Sequence, residues 1–425
     1  MEGKFNYSVI IVGAGPAGLF LAARLGASLR ETAAVDHASI LILEKGPRPG
    51  RKLLTSGSGQ CNITNAGPIA DFLGRYGDKS RFVKKSLFGF TNEDLVSWFE
   101  SRGLGFETEE SGKVFPSSRR AGDILRVLLD ECEQCGAIVA TGRPVSWIGI
   151  TDEGFSVGAR VEGGGDRVFF ARLLGLATGG RSYPGTGSEG DGYALAAALG
   201  HRIVSSRPAL TPLHIVDFPL AALAGHSCDA RRLVIMRGGR KVGETLGDIL
   251  ITHEGLSGPG ILDASRWIHV GDIVEVDWSG VGREEFCERF TSLLTLSPRS
   301  LVRTILAESG LPKRMAERFV TLAKLGTQTT AATLKREERE SLVRLATAFP
   351  ARVAALGAWD KAMVTAGGVA VDEINPATME SRLVPGLFFV GELLDIDGDT
   401  GGFNLQAAFS TAAAAAKGMA KALEA

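Results

Sequence analysis

Apolar positions along the chain fall into three textures. YSVIIV (7–12) is a short β-branched run without polar alternation, as expected of a strand buried on both faces of a parallel sheet. GAGPAG (13–18) follows at once, and LFLAARLGASLR (19–30) then carries apolar residues at helical spacing. ILIL (40–43) is a second buried run, and GAIVAT (136–141) is expected to be a further core strand. VSWIGI, FSVGARV and RVFFARLLGLA (145–177) are separated by turn residues and predict a β-meander laid on that core. Beyond Pro208 the texture changes. LHIVDF, RRLVIMRGGRKVGETLGDILIT and GDIVEVDW (213–278) predict antiparallel strands with glycine turns, and 283–348 becomes helical and charged. PGLFFVGE (385–392) is again a buried strand, and DIDGDTGGFNLQAAFSTAAAAA (395–416) is a polar glycine loop running into a long apolar helix. The pattern reads as an α/β fold in which 205–355 is inserted between two halves of one domain.

The first glycine loop has the spacing G-x-G-x-x-G between a strand and a helix, the arrangement that receives a dinucleotide's pyrophosphate at a helix N-terminus. Gly13 permits the tight turn, Gly15 lets phosphate approach and Gly18 lets the helix pack on the sheet. Glu44, directly after ILIL, stands where an acid would hold the ribose hydroxyls; Glu31 and Asp36 are nearer in sequence, but neither stands at a strand end. Such an acid suits NAD or FAD. GTGSEG (185–190) repeats the spacing and fails the context: RSYP separates it from the nearest strand, and no acid ends the strand after it. It is expected to shape a helix N-terminus beside the first ligand. One integrated dinucleotide with no dedicated nicotinamide domain is more naturally FAD than NAD.

Composition narrows the class. Lys and Arg number 47 against 48 Asp and Glu, so no bulk basic field argues for nucleic acid, although a local patch remains compatible with the balance. The 55 glycines are nearly twice the usual share of about 7%, which suits backbone that must approach ligands closely. Cys61, Cys132, Cys135, Cys228 and Cys287 form no disulfide framework and point to a reducing cytoplasm. The N-terminal apolar run is short and flows into the glycine loop, so neither a signal peptide nor a membrane partner is expected.

Four blocks carry a resemblance: EKGPRPGRKLLTSGSGQCNITN (44–65), LLGLATGGRSYPGTGSEGDGYALAAALGH (173–201), GDILITHEGLSGPGIL (247–262) and the segment from TAGGVAVDE to FSTAAAAA (365–416). With them the chain resembles the bacterial flavoproteins known as HI0933-like, YhiN-like or BaiN-like, the aminoacetone-oxidase type of FAD-binding enzyme. The resemblance runs from about residue 7 to the C-terminus and is weakest over 280–350. It implies an FAD-binding domain of residues 1–204 and 356–425, an inserted β-rich substrate domain of 205–282 and a helical subdomain of 283–355. It places Gly13, Gly15, Pro16, Ala17 and Gly18 at the pyrophosphate, and Glu44 and Lys45 at the ribose. Lys52, Ser56, Gly57, Cys61 and Asn62 would line the loop near the flavin, with Thr178 and Gly179 at a strand end. Gly391 and Glu392 would lie near the ribityl chain, and Gly402, Asn404, Leu405 and Gln406 beside the isoalloxazine. Val145, after the GAIVAT strand, is expected near the adenine. The family commonly has Arg before the cysteine where this chain has Gln60, which leaves anion binding there without its fixed charge. By this resemblance the activity is hydride exchange between FAD and a small organic substrate, with reduction of an activated C=C bond as the preferred chemistry and NAD(P)H as transient donor.

Other candidates weigh less. Cys132 and Cys135 form C-x-x-C near a helix C-terminus, where the dipole disfavours a thiolate, and no second pair completes a zinc site; a packing role and no metal are expected. Cys61 also reads as a small packing residue. His253, in ITHEGLSGPG, is the one candidate general acid, and Tyr183 and Arg181 are weaker candidates for anchoring substrate. The cations of 299–344 are interleaved with Glu308, Glu317, Glu337, Glu338 and Glu340, which favours a solvated face over the alternative, an RNA-associated or regulatory surface.

Overall fold

The computed structural model describes residues 7–32, 39–161 and 164–424. Asp36 therefore lies outside the described residues. The first strand, β1 (Tyr7–Val12), is flanked in parallel by β2 (Ile40–Leu43) and by the long strand Asp166–Leu176, with Val9 opposite both Ile40 and Leu173. Val9, Ile10 and Ile11 are fully buried, which is why the run needs no polar alternation. The first half of Asp166–Leu176 also pairs antiparallel with Gly154–Arg160, and its last residues pair in parallel with Leu387–Phe389. One strand thus carries the meander at one end and receives the returning chain at the other.

Between β1 and β2 runs the helix α1 (Pro16–Thr32). The C-terminal helix Phe403–Glu424 packs along it, with Phe20 and Phe409 edge to face at 5.1 Å. Ala412, Ala413, Ala415 and Ala416 are buried there, so the alanine run is a close-packing surface. The strand Ile138–Ala140 corrects an expectation: it pairs only with β2, ends the sheet, and leaves Ile138 52% exposed. An edge strand with one neighbour cannot be buried as a core strand is.

The chain divides into two compact units, Met1–Pro208 with Met363–Ala425, and Ala209–Ala362. The second unit contains a closed six-stranded barrel, in the order Leu213–Ile215, Gly255–Ser257, Arg240–Ile251, Ser227–Arg237, Ile273–Val276 and Phe349–Leu356. Trp278, Phe286, Phe290 and Phe319 join the barrel's inward residues in a core of their own. The segment expected to be helical through 355 is helical only to Thr347. Phe349–Leu356 instead pairs with both Ile273–Val276 and Leu213–Ile215 and closes the barrel. Its alternation of buried and exposed residues is the strand period, shorter than the charged helical texture before it. No helix among the described residues is long and apolar enough to cross a membrane.

Cys132 lies on the helix Ala121–Gln134, and Cys135 is its C-cap. Both sulfurs face α1: Cys132 Sγ lies 3.4 Å from the Leu19 carbonyl, and a Cβ at Gly26 would come within 2.5 Å of the Cys135 Cβ. Burial pushes the Cys132 thiol up to about 12 from an ordinary 9.0. The neutral thiol is the folded form, so its contribution is complete below pH 9 and is lost as pH rises through 12. The unfolding free energy of Cys132→Ala is accordingly expected to fall less steeply over that window, by about 1.4 kcal/mol per pH unit. Identical alkaline slopes in urea titrations of the two proteins would contradict the buried thiol.

Candidate functional site

GAGPAG leaves β1 in the geometry its glycines require. Gly13 has φ 106°, and a Cβ there would lie 2.5 Å from the Ala177 carbonyl oxygen. A Cβ at Gly18 would lie 2.0 Å from the Gly13 carbonyl oxygen. Gly15 differs: its Cβ would meet nothing within 4 Å, so the middle glycine faces open space. Pro16 opens α1, where a missing N–H costs nothing, and no acid stands in the first turn to oppose an anion. Two glycines serve packing and one serves approach, the division that a pyrophosphate cradle needs.

Glu44 ends β2 as expected. Its carboxylate accepts the Ala14 N–H at 2.8 Å and the Gly46 N–H at 2.6 Å, which ties the acid to the glycine loop. The Arg143 N–H reaches back to the Glu44 carbonyl, so the start of the meander runs past the same spot. Val145 stands two residues on, half-buried, opposite Ala159.

The second glycine loop is no second cradle. It forms a short 3-10 turn, Pro184–Thr186, ahead of the helix Asp191–Ala198. Glu189 of this loop and Asp191, which opens the helix, turn to Lys45, whose ammonium meets Asp191 at 2.5 Å and Glu189 at 2.8 Å. Burial works against that charge, but the two carboxylates outweigh it and hold the Lys45 pKa above its usual value. Arg51, on the short helix α2 (Arg51–Thr55), donates to the Gly185 carbonyl at 2.7 Å.

Lys52 projects from α2 into a polar cluster. Its ammonium lies 2.5 Å from both Glu392 Oε2 and Ser182 Oγ. Glu392 Oε1 accepts from Ser182 Oγ at 3.0 Å and from the Thr365 N–H at 2.8 Å. Thr365 Oγ1 in turn accepts the N–H groups of Arg181 and Ser182. Gly180 must lack a side chain, since a Cβ would sit 2.3 Å from Thr365 Oγ1. Beside Gly179, the Thr178 hydroxyl is buried without a hydrogen-bond partner and packs on the helix Asp191–Ala198, where a Cβ at Gly192 would lie 1.9 Å from it.

The SGSGQCN block after α2 is a tight excursion. Gly57, Ser58 and Cys61 all take left-handed φ values of 55–60°. The Ser56 carbonyl accepts the Cys61 N–H at 3.0 Å, and Asn62 Oδ1 accepts the Val114 N–H. Cys61 is fully buried, and burial raises its thiol to about 12 against a lowering hydrogen bond from Ser56. It stays protonated at neutral pH and fills space. Gln60 Oε1 accepts from Arg119, 3.3 Å away, whose charge is met by Glu109 at 2.8 Å and Glu107 at 3.7 Å.

The returning chain closes the site. After Leu387–Phe389, Gly391 takes φ 69°, and a Cβ there would lie 2.9 Å from the Ala17 Cβ. The Gly391 N–H donates to Thr411 Oγ1 of the C-terminal helix. Asn404 folds back on the Gly398 N–H and carbonyl, and Gly402 (φ 97°) passes so near the Thr64 carbonyl that a Cβ would sit 2.4 Å from it. Gln406 is buried with its amide committed to Thr64, Phe90 and Ser410, so it locks the helix start, while Leu405 stays half-exposed. His253 belongs to the barrel unit, exposed in the turn Thr252–Gly255. Ser182 and Thr365 were missed by the sequence reading; only their position inside the ATGGRSYP and TAGG blocks hints at them.

A glycine cradle with one open glycine, an acid at the next strand end and a returning glycine loop fit a bound FAD. The HI0933-like protein Rossmann domain family matches residues 7–418. The chain belongs to this HI0933-like family. Its cofactor is FAD, and it is an oxidoreductase. Among its relatives, 3-dehydro-bile acid delta(4,6)-reductase of Clostridium scindens is 31% identical, over 94% of this chain and 96% of that protein. Ribosomal RNA dihydrouridine synthase of Escherichia coli is also 31% identical, over 97% and 98%. The open conformation of a flavocytochrome c3 fumarate reductase shares the fold, with TM-score 0.50, 16% identity, and coverage of 99% of this chain and 79% of that one.

The open face of Gly15 yields a separating test. Gly15→Ala is expected to leave the thermal unfolding of the apoprotein unchanged and to weaken FAD binding at least about tenfold. Full FAD affinity in that variant would mean that phosphate does not approach there.

Proposed function

We propose that this protein reduces a carbon–carbon double bond conjugated to a carbonyl, with FAD resident between the two ends of the chain and NAD(P)H as a transient donor. The observation that carries the reading is the convergence of Gly391 on Ala17 and of Glu392 on Lys52, which puts both chain ends at one glycine cradle. Glu189 of the second glycine loop and the adjacent Asp191 bind Lys45, which supports reading that loop as a brace beside the first site and not as a second dinucleotide cradle. Both named relatives support the chemistry. The delta(4,6) bonds of a 3-dehydro steroid and the C5=C6 bond lost in forming dihydrouridine are each conjugated to a carbonyl.

Within this reading Gly13, Gly15, Pro16, Ala17 and Gly18 hold the pyrophosphate through backbone N–H groups and the helix end. Glu44 and Lys45 lie at the ribose, and Val145 beside the adenine. Thr178 and Gly179 lie at the strand end beside it, and Glu392, fixed by Lys52, Ser182 and Thr365, lies near the ribityl chain. When bound, FAD supplies two-electron transfer between donor and substrate. The start of the C-terminal helix then sets a positive dipole end toward negative charge at the site. Saturating the bond also takes a proton, which water supplies in this reading.

The basic helices of the insertion do not favour the alternative of an RNA surface there. Arg314 and Arg318 donate to the carbonyls of Ala222 and Pro219, and Arg283 pairs with Glu340.

The test is anaerobic reduction of the flavoprotein by NADH or NADPH, followed by reoxidation with a conjugated enone or with a uridine-containing RNA. Bleaching by the donor and recovery with one of these acceptors is expected. Recovery with oxygen alone, whatever the acceptor, would overturn the proposal.

A further inference from the structure

The loop 395–402, which leads into the C-terminal helix, is held from outside by the 3-10 segment Leu73–Lys79. Tyr76 is fully buried, and its hydroxyl donates to the Phe403 carbonyl at 2.8 Å. A Cβ at Gly398 would lie 3.0 Å from the Tyr76 ring, so the loop lies directly on it. The Asp399 N–H donates to the Arg75 carbonyl at 3.1 Å. Phe72, just before the segment, meets Phe403 edge to face at 4.9 Å. From the helix side Asn404 holds Gly398 by both its N–H and its carbonyl.

Charge follows the same route. Asp395 and Asp399 are only 4% and 9% exposed, and a carboxylate so far from water is strongly unfavourable without a counterion. Each meets a cation from the one outer segment: the Lys79 ammonium lies 2.8 Å from Asp395, and the Arg75 guanidinium 3.6 Å from Asp399. Burial works against the Lys79 charge, but Asp395 and the exposed Asp78 outweigh it and hold the Lys79 pKa above its usual value. Tyr76, Asn404 and the Arg75 carbonyl already fix the loop's position, so the ion pairs chiefly balance its charge.

We propose that Leu73–Lys79 sets the reduction potential of the flavin through this loop, with Lys79 as a positioning residue that cancels the charge of Asp395. The inference rests on the placement of Gly402 and Asn404 beside the isoalloxazine and goes beyond it: it concerns how readily the flavin accepts electrons, whatever the substrate. Taking up two electrons and one proton leaves the ring system with one more negative charge. The start of the C-terminal helix offers roughly half a positive charge toward it. A bare carboxylate in the loop just ahead of that helix would oppose the same charge, and Lys79 removes the opposition.

The test is a reductive titration of the full-length flavoprotein with dithionite against a reference dye, which needs neither nicotinamide nor substrate. Lys79→Gln is expected to lower the ratio of reduced to oxidised flavin at a fixed potential at least about tenfold, a negative shift of about 30 mV for a two-electron couple. Asp395→Asn is expected to shift it the other way, and K79Q/D395N to return toward the wild type. Lys79→Arg keeps the charge and should keep the potential. Arg75 is 53% exposed in its side chain and farther from its acid, so Arg75→Gln should shift the potential less, and the shift should fade in about 1 M salt. A purely mechanical strut gives a different pattern: a double variant no closer to the wild type than K79Q would overturn the proposal, as would equal potentials in wild type, K79Q and D395N. Flavin content and the melting temperature of the apoprotein are followed in every variant. Should K79Q lose its flavin, D395N decides, and a potential at or below the wild-type value overturns the proposal. Potentials that shift as expected while neither enone nor uridine reoxidises the flavin would uphold the role of Lys79 and sink the double-bond reading. Unshifted potentials with a working acceptor would do the reverse.

Discussion

Everything in the flavin-binding unit depends on close approach at positions where side chains have been removed. Gly13 against Ala177, Gly18 against Gly13, Gly391 against Ala17 and Gly402 against Thr64 would each clash on gaining a single Cβ. These contacts bring the start of the chain, the end of the Asp166–Leu176 strand and the returning C-terminal segment to one place. Leu174–Leu176 pairs with Ile10–Val12 on one side and Leu387–Phe389 on the other, so the sheet fixes the same convergence over a longer distance. Glycines that must be small are here set beside one glycine, Gly15, that has room to spare, and that contrast separates packing from ligand approach.

Charge is arranged around this frame with few loose ends. Lys45 is held by the acids of the second glycine loop, Lys52 by Glu392 and Ser182, and Lys79 by Asp395. Each lysine links a segment after β2 to a part of the chain more than a hundred residues away. The polar side chains therefore act as struts between loops that the glycines allow to approach.

Much of this was legible in the sequence because it is written locally. YSVIIV, GAGPAG and the helical run after them declare strand, turn and helix by period and by glycine spacing, and Glu44 follows from its place after ILIL. The failed context of GTGSEG was equally local. What escaped is non-local. Ser182 and Thr365 meet across 183 residues, and no period marks either. Phe349–Leu356 reads as the tail of a helical stretch until its two strand partners are seen. Gln406 looks like a ring contact by position, and only the structure shows its amide tied to Thr64 and Phe90.

The central claim is that both extremities grip one FAD, and titration calorimetry of the apoprotein tests it directly. Wild type should take up one FAD per chain, and Glu392→Gln, far along the chain from the glycine cradle, should bind it at least about tenfold more weakly. An unchanged affinity in Glu392→Gln, or two FAD molecules per chain, would contradict the account.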